Sequence, residues 1–164
     1  MSNFPELPNV EIKLNGQKIT VPLDKLAYIN PDDLSGHLCD QPGLIAFFGE
    51  IKADRLRRKE TAEMVFDEVS ALARIKIRSE PRGTVKDAKG KEKPDKLTVQ
   101  EIADFCSIDE DVKNAKVGLI TAQANYERAK SWYDAARDKG ISLNTLATIK
   151  KLEAGANDRI TDEA

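Results

Sequence analysis

Apolar residues recur at heptad spacing through the second half of the chain. Between Asp109 and Lys139, eight positions follow one another at alternating intervals of three and four residues, which is typical of a helix with one apolar face. Every second position is alanine, so a partner helix can approach closely. The positions are Val112, Ala115, Leu119, Ala122, Tyr126, Ala129, Tyr133 and Ala136. We predict a long helix whose seam, these eight residues, packs on a helix of the same or a neighbouring chain.

Start and stop signals predict two further helices. Gly140 is expected to end the seam helix, and Ser142 to cap a final helix that runs to about Ala154. Upstream, a first long helix is predicted from just after Gly43 to about Arg78, because apolar residues recur there every three or four positions. These residues are Leu44, Phe48 and Ile51 before the basic turns 52–60, and Ala62, Val65, Val69 and Leu72 after them. A helix of that length measures about 52 Å, which favours an element that projects or assembles.

Alternating apolar and polar residues predict a β-hairpin near the N-terminus. Its strands, Val10–Leu14 and Gln17–Val21, flank the dipeptide Asn15-Gly16, which favours a tight turn between paired strands. A lone hairpin is marginal in water, so we expect it to lie against helices or to pair with another chain.

Turn-forming residues separate these elements. The stretch from Leu23 to Gly43 is interpreted as a connector, and residues 79–96 as a flexible basic loop that is too polar to form a core. Thr98 and Glu101 have the spacing of a capping box, which predicts a short helix before the seam helix.

Composition agrees with a helical protein that has a large polar surface. Charged residues make up 33% of the chain and aromatic residues only 5%, which favours interhelical contacts over an aromatic core. We expect a mainly α fold of long, coiled-coil-like helices with a small N-terminal β-hairpin, assembling as an oligomer. Residues 1–42 would form the hairpin and connector, and residues 43–164 the helical domain.

Apolar runs and the N-terminal residues bear on localisation. No run approaches the ~20 residues of a membrane span, and the N-terminus lacks the basic and then apolar pattern of a signal peptide. We therefore expect the protein to stay in the cytoplasm, which is that of the host cell if the chain is phage-encoded, and to have no membrane partner.

Side chains that support catalysis or metal binding are scarce. His37 is the sole histidine, and Cys39 and Cys106 are the only cysteines, too few for a four-thiolate zinc site. Both cysteines are interpreted as small buried residues. Acidic clusters such as Asp32-Asp33 lie where helix N-termini favour carboxylates. Because there is also no phosphate-binding glycine loop or nucleophile motif, we expect no enzymatic activity, metal or cofactor.

Charge is unevenly distributed along a chain whose formal net charge is −2. Residues 1–51 carry 3 basic and 7 acidic groups, residues 52–96 carry 14 and 9, and residues 97–164 carry 9 and 12. A local cationic tract is what phosphate binding requires, although a solvated helix face would have the same composition. The candidate DNA-binding residues are Arg74, Lys76, Arg78, Arg82 and Lys86. Because Tyr126, Trp132 and Tyr133 belong to or adjoin the seam, any affinity for single strands would be mostly electrostatic.

The C-terminal half resembles the phage UvsY-type recombination mediators. The resemblance is carried by the run 109–112 (Asp-Glu-Asp-Val), by Leu119 and Gly140, and by the run 153–155 (Glu-Ala-Gly), with gap-free spacing from Asp109 to Gly155. Upstream, the stretch 71–78 (Ala-Leu-Ala-Arg-Ile-Lys-Ile-Arg) looks like that family's basic segment.

This resemblance implies a DNA-binding accessory protein that forms a ring-like homo-oligomer. Such a protein binds single-stranded DNA and helps a RecA-like recombinase replace the single-strand-binding protein. The family's DNA-binding positions fall on Arg74 and Lys76, with Arg78 as a neighbour. One alternative is a structural or scaffolding phage protein whose coiled helices only mediate oligomerisation, and another is an inhibitor that targets a host protein through its helical face.

Overall fold

The computed structural model describes residues 9–14, 16–21, 23–80, 83–86, 91–94 and 96–162. The strands are β1 (Val10–Leu14), β2 (Gln17–Val21), β3 (Thr84–Lys86) and β4 (Glu92–Pro94). The helices are α1 (Asp24–Ala27), α2 (Leu34–Ser79), α3 (Val99–Ile108) and α4 (Glu110–Asp162). The prediction of a mainly α protein with long helices and a small N-terminal hairpin is confirmed. None of the helices within these ranges is apolar over a stretch long enough to cross a membrane.

The first long helix begins ten residues earlier than predicted, at Leu34 instead of Leu44. A 3-10 turn at Pro31–Asp33 leads directly into α2 at Leu34, and Pro42 lies inside the helix. The turn-forming residues before it act as caps, because the Asn30 side chain accepts a hydrogen bond from the Asp32 N–H at 3.0 Å and Asp33 accepts one from the Gly36 N–H at 3.1 Å. The second half of the predicted connector, from Leu34 to Gly43, is therefore the start of α2.

Gly140 does not end the seam helix, since α4 continues through it to Asp162. Gly140 is buried, and a Cβ atom placed there would lie 3.2 Å from Nε2 of Gln41 on α2. That nitrogen donates a hydrogen bond to the Ala136 carbonyl. The glycine therefore serves close packing between helices and is not a C-cap.

The chain divides into two compact units, of which unit 1 comprises residues 1–56 and 126–164. Gln41 lies at the level of Ala136, and Gly49 lies beside Tyr133, so α2 and α4 run antiparallel in this unit. The fully buried members of its core are Val21, Phe48, Ile51, Ala129 and Ala136. The rings of Phe48 and Trp132 meet edge to face at 6.4 Å, which makes this a core of large side chains.

The N-terminal hairpin covers the core of unit 1. Strands β1 and β2 pair antiparallel with Ile12 opposite Ile19, and Gly16 has the positive φ of +82° that the predicted turn requires. Arg55 on α2 donates to the Lys13 carbonyl at 3.0 Å. Asn15, the other residue of the turn, lies outside the described residues. The expectation that the hairpin lies against helices is therefore met within the chain.

Unit 2 comprises residues 57–125. Arg58 shares a cavity with Gly118, and Lys76 shares one with Asp109, so α2 and α4 are antiparallel here as well. Helix α3 completes a core of Ala73, Ile102, Cys106 and Val112, each 6 to 7% exposed. Cys106 is buried as expected, whereas Cys39 on α2 in unit 1 is exposed.

Side-chain caps are present at the starts of α3 and α4 in unit 2. The capping box of α3 is present, with the Glu101 N–H donating to Thr98 Oγ1 at 3.2 Å and the Thr98 N–H donating to Glu101 Oε2 at 2.8 Å. Asp109 Oδ1 accepts from the N–H groups of Asp111 and Val112 at the start of α4. In the predicted basic loop, β3 and β4 form a short antiparallel pair.

The heptad seam of α4 is turned towards the interior of each unit. Ala129 and Ala136 belong to the core of unit 1, and Val112 belongs to the core of unit 2. The other five seam residues are half-buried: Ala115, Leu119, Ala122, Tyr126 and Tyr133. Much of the seam is therefore occupied by packing within the chain itself.

Candidate nucleic-acid interface

The basic residues of the candidate site lie in the last turns of α2 and are exposed. At about 100° per residue, Arg74 and Arg78 are one turn apart on the same side of the helix, whereas Lys76 points to the other side. The three cations alternate with Ile75 and Ile77 along the sequence, but they therefore do not form one continuous row on the helix surface. Cations in a last turn also interact favourably with the helix dipole, which is a structural reason for their presence.

Lys76 shares two cavities with acidic residues. It lines a cavity of about 590 Å³ together with Asp109 and Asp111, and a smaller one of about 210 Å³ with Glu80 and Asp109. Neither cavity includes the two arginines. Within the described part of the chain, none of the three cations forms an ion pair. An anion would therefore meet less competition from carboxylates at Arg74 and Arg78 than at Lys76.

The remaining predicted DNA-binding residues do not form one described surface with Arg74 and Arg78. Lys86 is exposed at the end of β3, on a different element from the two arginines. Arg82 lies outside the described residues. The structure thus brings together Arg74 and Arg78 from the predicted set.

Aromatic residues in the seam and beside it are engaged in packing. Tyr126, Trp132 and Tyr133 are half-buried, and the Lys52 ammonium lies 4.4 Å from the centroid of the Tyr133 ring. Tyr28, which sequence reasoning left aside, is 54% exposed. A single tyrosine within a turn-rich segment gives no sequence signal that distinguishes an exposed side chain from a buried one.

A cleft of about 700 Å³ in unit 1 contains the His37 side chain, next to Tyr28 and Asp40. His37 Nε2 accepts a hydrogen bond from the Asn30 N–H at 2.9 Å, so the imidazole fixes the turn before α2. This contact gives the histidine a structural function. Among the described residues, no three His, Cys, Asp or Glu side chains are grouped as metal ligands.

Lys139 is the most unusual charged residue in this cleft. The residue is buried, and its ammonium donates to the carbonyls of Lys25 at 2.6 Å and Tyr28 at 2.8 Å. Burial lowers the pKa of Lys139 below its ordinary value, and the nearby carboxylates of Asp24 and Asp40 oppose that shift. The side chain thus ties the end of α1 to α4. Lys150 makes a similar contact with the Pro31 carbonyl.

An open groove runs between α2 and α4 in unit 2, and sequence reasoning missed it. It consists of the 590 Å³ cavity and an adjoining one of about 430 Å³, which share Val65, Asn114 and Ala115. We call this the α2–α4 groove. Its apolar wall includes Val65 and Leu72, whose exposure shows that part of the predicted core face of α2 is uncovered. Sequence periodicity alone does not distinguish a covered apolar face from an open one.

Comparisons with protein-family models, with curated proteins and with solved structures found no match. A functional conclusion therefore depends on the residues of the chain, on the geometry of the two arginines and on the sequence resemblance described above.

Proposed function

We propose that the protein is a phage recombination mediator that binds single-stranded DNA and helps load a RecA-like recombinase in place of single-strand-binding protein. The observation that carries this proposal is the pair Arg74 and Arg78, exposed on one side of the last turns of α2 without an ion pair among the described residues. Guanidinium groups hold phosphates with two parallel hydrogen bonds. The resemblance of the surrounding sequence to the mediator family supports the same function.

The mechanism requires no chemical step, enzyme active site or cofactor. A mediator acts through differential affinity, because a protein that favours the recombinase-bound state of DNA shifts occupancy away from the competing binding protein. The two arginines would hold the phosphate backbone, and contacts with base edges are unnecessary for a function that is independent of sequence.

Assembly is part of the proposal because two arginines per chain give weak binding. A homo-oligomer, as a ring or another closed form, presents several such pairs to one strand. Binding at one pair then raises the effective concentration of phosphate at the next pair. The acidic net charge of the chain is compatible with this arrangement, since only the local field at the arginines needs to be positive.

The test is to remove both arginine charges while keeping the rest of the chain intact. For each arginine pair that contacts the strand, Arg74→Ala with Arg78→Ala should weaken binding to a fluorescent oligothymidylate about tenfold, which corresponds to ~1.4 kcal/mol. The dependence of log K on log salt should become shallower by about 1.4 per pair, since each phosphate contact on a single strand contributes ~0.7. Fluorescence anisotropy at several salt concentrations measures both quantities.

A matched control removes two exposed cations from unit 1. Arg128→Ala with Lys130→Ala changes the net charge by the same amount, and both residues are exposed on α4. This variant should bind nearly as the native chain does. Equal losses in the two variants would show that overall charge matters and would contradict the arginine site. Lys76→Ala should have a smaller effect than either arginine substitution because of its carboxylate neighbours.

A structural or scaffolding protein is the second candidate, and the exposed apolar residues favour it. Val117 and Ile120 on α4 are 62% and 59% exposed, and clustered exposed apolar residues mark surfaces that bind other proteins. A native chain that assembles but shows no salt-dependent affinity for single-stranded DNA would support this candidate over the mediator.

A further inference from the structure

Helix α3 carries an exposed aromatic side chain close to the last turns of α2. Unit 2 contains two aromatic residues, Phe66 and Phe105. Phe66 packs against the core of the unit, whereas Phe105 is 42% exposed. Ile108, one turn further along α3, is 64% exposed. Because exposed apolar side chains that cluster mark binding surfaces, Phe105 and Ile108 are candidates for contact with a ligand.

Phe105 and Ile108 line the smaller of the two Lys76 cavities, whose volume is about 210 Å³. We call it the Phe105 cavity, and its other lining residues are Lys76, Ile77, Glu80 and Asp109. Sites that enclose a whole small molecule measure about 300 to 1,000 Å³. A cavity below that range, with an aromatic ring, aliphatic side chains and carboxylates in its lining, suits one flat group of a larger ligand.

Ile77 connects this cavity to the arginine pair. It directly precedes Arg78 and follows Arg74 by three positions. Side chains three positions apart on a helix are neighbours, with Cβ atoms about 5 to 6 Å apart. The Phe105 cavity therefore begins beside Arg74 and Arg78, although neither arginine lines it. The cations and the ring form two separate surfaces that lie next to each other.

The two surfaces differ in charge. Glu80 and Asp109 in the lining of the Phe105 cavity oppose a phosphate there, whereas Arg74 and Arg78 form no ion pair within the described part of the chain. A nucleobase is uncharged and flat, and it carries N–H groups that carboxylates can accept. The phosphate of a nucleotide therefore suits the arginines, and its base suits the cavity.

We propose that the Phe105 cavity binds a base of the single-stranded DNA whose phosphates Arg74 and Arg78 hold. The Phe105 ring stacks on the face of the base, which is how aromatic side chains contribute to single-strand binding without sequence preference. Bases in a duplex are already paired and stacked, so this contact favours a single strand over a duplex. The proposal rests on the DNA-binding function proposed above and adds a contact that does not depend on charge.

Two probes of equal length separate the base contact from the phosphate contacts. One is a fluorescent oligothymidylate, and the other is an abasic strand with the same number of phosphates. For each ring that stacks, Phe105→Ala should weaken binding to the oligothymidylate about tenfold, which corresponds to ~1.4 kcal/mol. Binding to the abasic strand and the salt dependence should not change, because no phosphate contact is lost. Fluorescence anisotropy at several salt concentrations measures these quantities.

Substitutions elsewhere on α3 and at Phe105 itself serve as controls. Phe105→Tyr keeps the ring and should bind both strands as the native chain does. Val99→Ala removes another exposed apolar side chain of α3, which is 81% exposed and outside the cavity lining, and should also leave binding unchanged. Circular dichroism should show equal helicity in all variants. Phe105→Leu fills more of the same space than alanine and should show a smaller loss, again for the oligothymidylate alone.

The outcomes distinguish the base contact from the proposed function. An equal loss of affinity for both strands in Phe105→Ala would mean that the ring only positions α3, and it overturns the inference. Unchanged affinity for the oligothymidylate in Phe105→Ala also overturns it, and the arginine site then stands if Arg74→Ala with Arg78→Ala weakens binding to both strands. A native chain that binds neither strand contradicts the base contact and the proposed function together.

Discussion

Unit 1 and unit 2 use the same two long helices but fill their cores differently. In unit 1, α2 and α4 enclose large side chains, with Phe48, Ile51 and Leu143 fully buried and the N-terminal hairpin as a cover. In unit 2, the largest buried residue is Ile102, and its neighbours are Ala73, Cys106 and Val112. The free energy gained on folding scales with buried apolar area. Unit 1 is therefore expected to hold most of the stability, while unit 2 keeps open apolar surface and exposed arginines.

The largest expected effect tests where stability resides. Phe48→Ala should lower the free energy of unfolding by about 3 to 5 kcal/mol, because it leaves a cavity among rigid aromatic neighbours. Ile102→Ala should cost nearer 2 kcal/mol, since it removes fewer atoms and its neighbours Phe66 and Ile77 are only partly buried and can move into the space. Urea unfolding followed by circular dichroism measures both changes. An equal or larger loss for Ile102→Ala would reverse the ranking of the two units.

An intermediate effect concerns the attachment of the N-terminal segment in unit 1. Lys139→Met should destabilise the protein by about 1 to 3 kcal/mol, because the carbonyls of Lys25 and Tyr28 lose their buried donor. Loss of protection from hydrogen exchange should centre on residues 24–28. A uniform loss across unit 2 would instead mean that the lysine has no local role.

The cost of Lys139→Met should also depend on pH. Burial lowers the native-state pKa of Lys139 below its ordinary value of 10.5, so the unfolded chain binds more protons between these two values. The stability of the native chain therefore rises with pH through that window relative to the variant. Urea unfolding at pH values of about 8 and 10 should show a larger deficit for the variant at the higher pH. A deficit that shrinks with pH would contradict the direction of the pKa shift.

The smallest expected effect is a stabilisation at a helix–helix contact in unit 1. A Cβ atom at Gly49 would lie 3.6 Å from Cε2 of Tyr133, an ordinary contact distance, so Gly49→Ala should add about 0.5 to 1 kcal/mol by restricting the unfolded backbone. Gly140→Ala is the matched comparison. Its Cβ atom would crowd Gln41 at 3.2 Å, so no gain is expected. A similar gain at both glycines in urea unfolding would show that the contact at Gly140 is looser than described.

Local signals in the sequence determined the secondary structure near their own positions. The alternation around Gly16 specified the hairpin, and Thr98 with Glu101 specified the start of α3, because turns and caps depend on residues a few positions apart. The heptad spacing also predicted correctly which side of α4 faces inward. Arg74 and Arg78 were identified as exposed cations from charge and position alone.

Only the tertiary structure decided where helices continue, what covers them and which charges act together. Gly140 and Pro42 are local stop signals, yet α4 and α2 continue through them because contacts with distant residues, such as that of Gln41 with Ala136, outweigh a cost of about 1 to 3 kcal/mol. The carboxylate neighbours that Lys76 gains from Asp109 and Asp111 depend on long-range packing, whereas its separation from Arg74 follows from the geometry of α2 alone. Sequence periodicity fixes which face of a helix is apolar, whereas the positions of the hairpin, α3 and the opposing helix decide which part of that face is buried and which stays open to a partner.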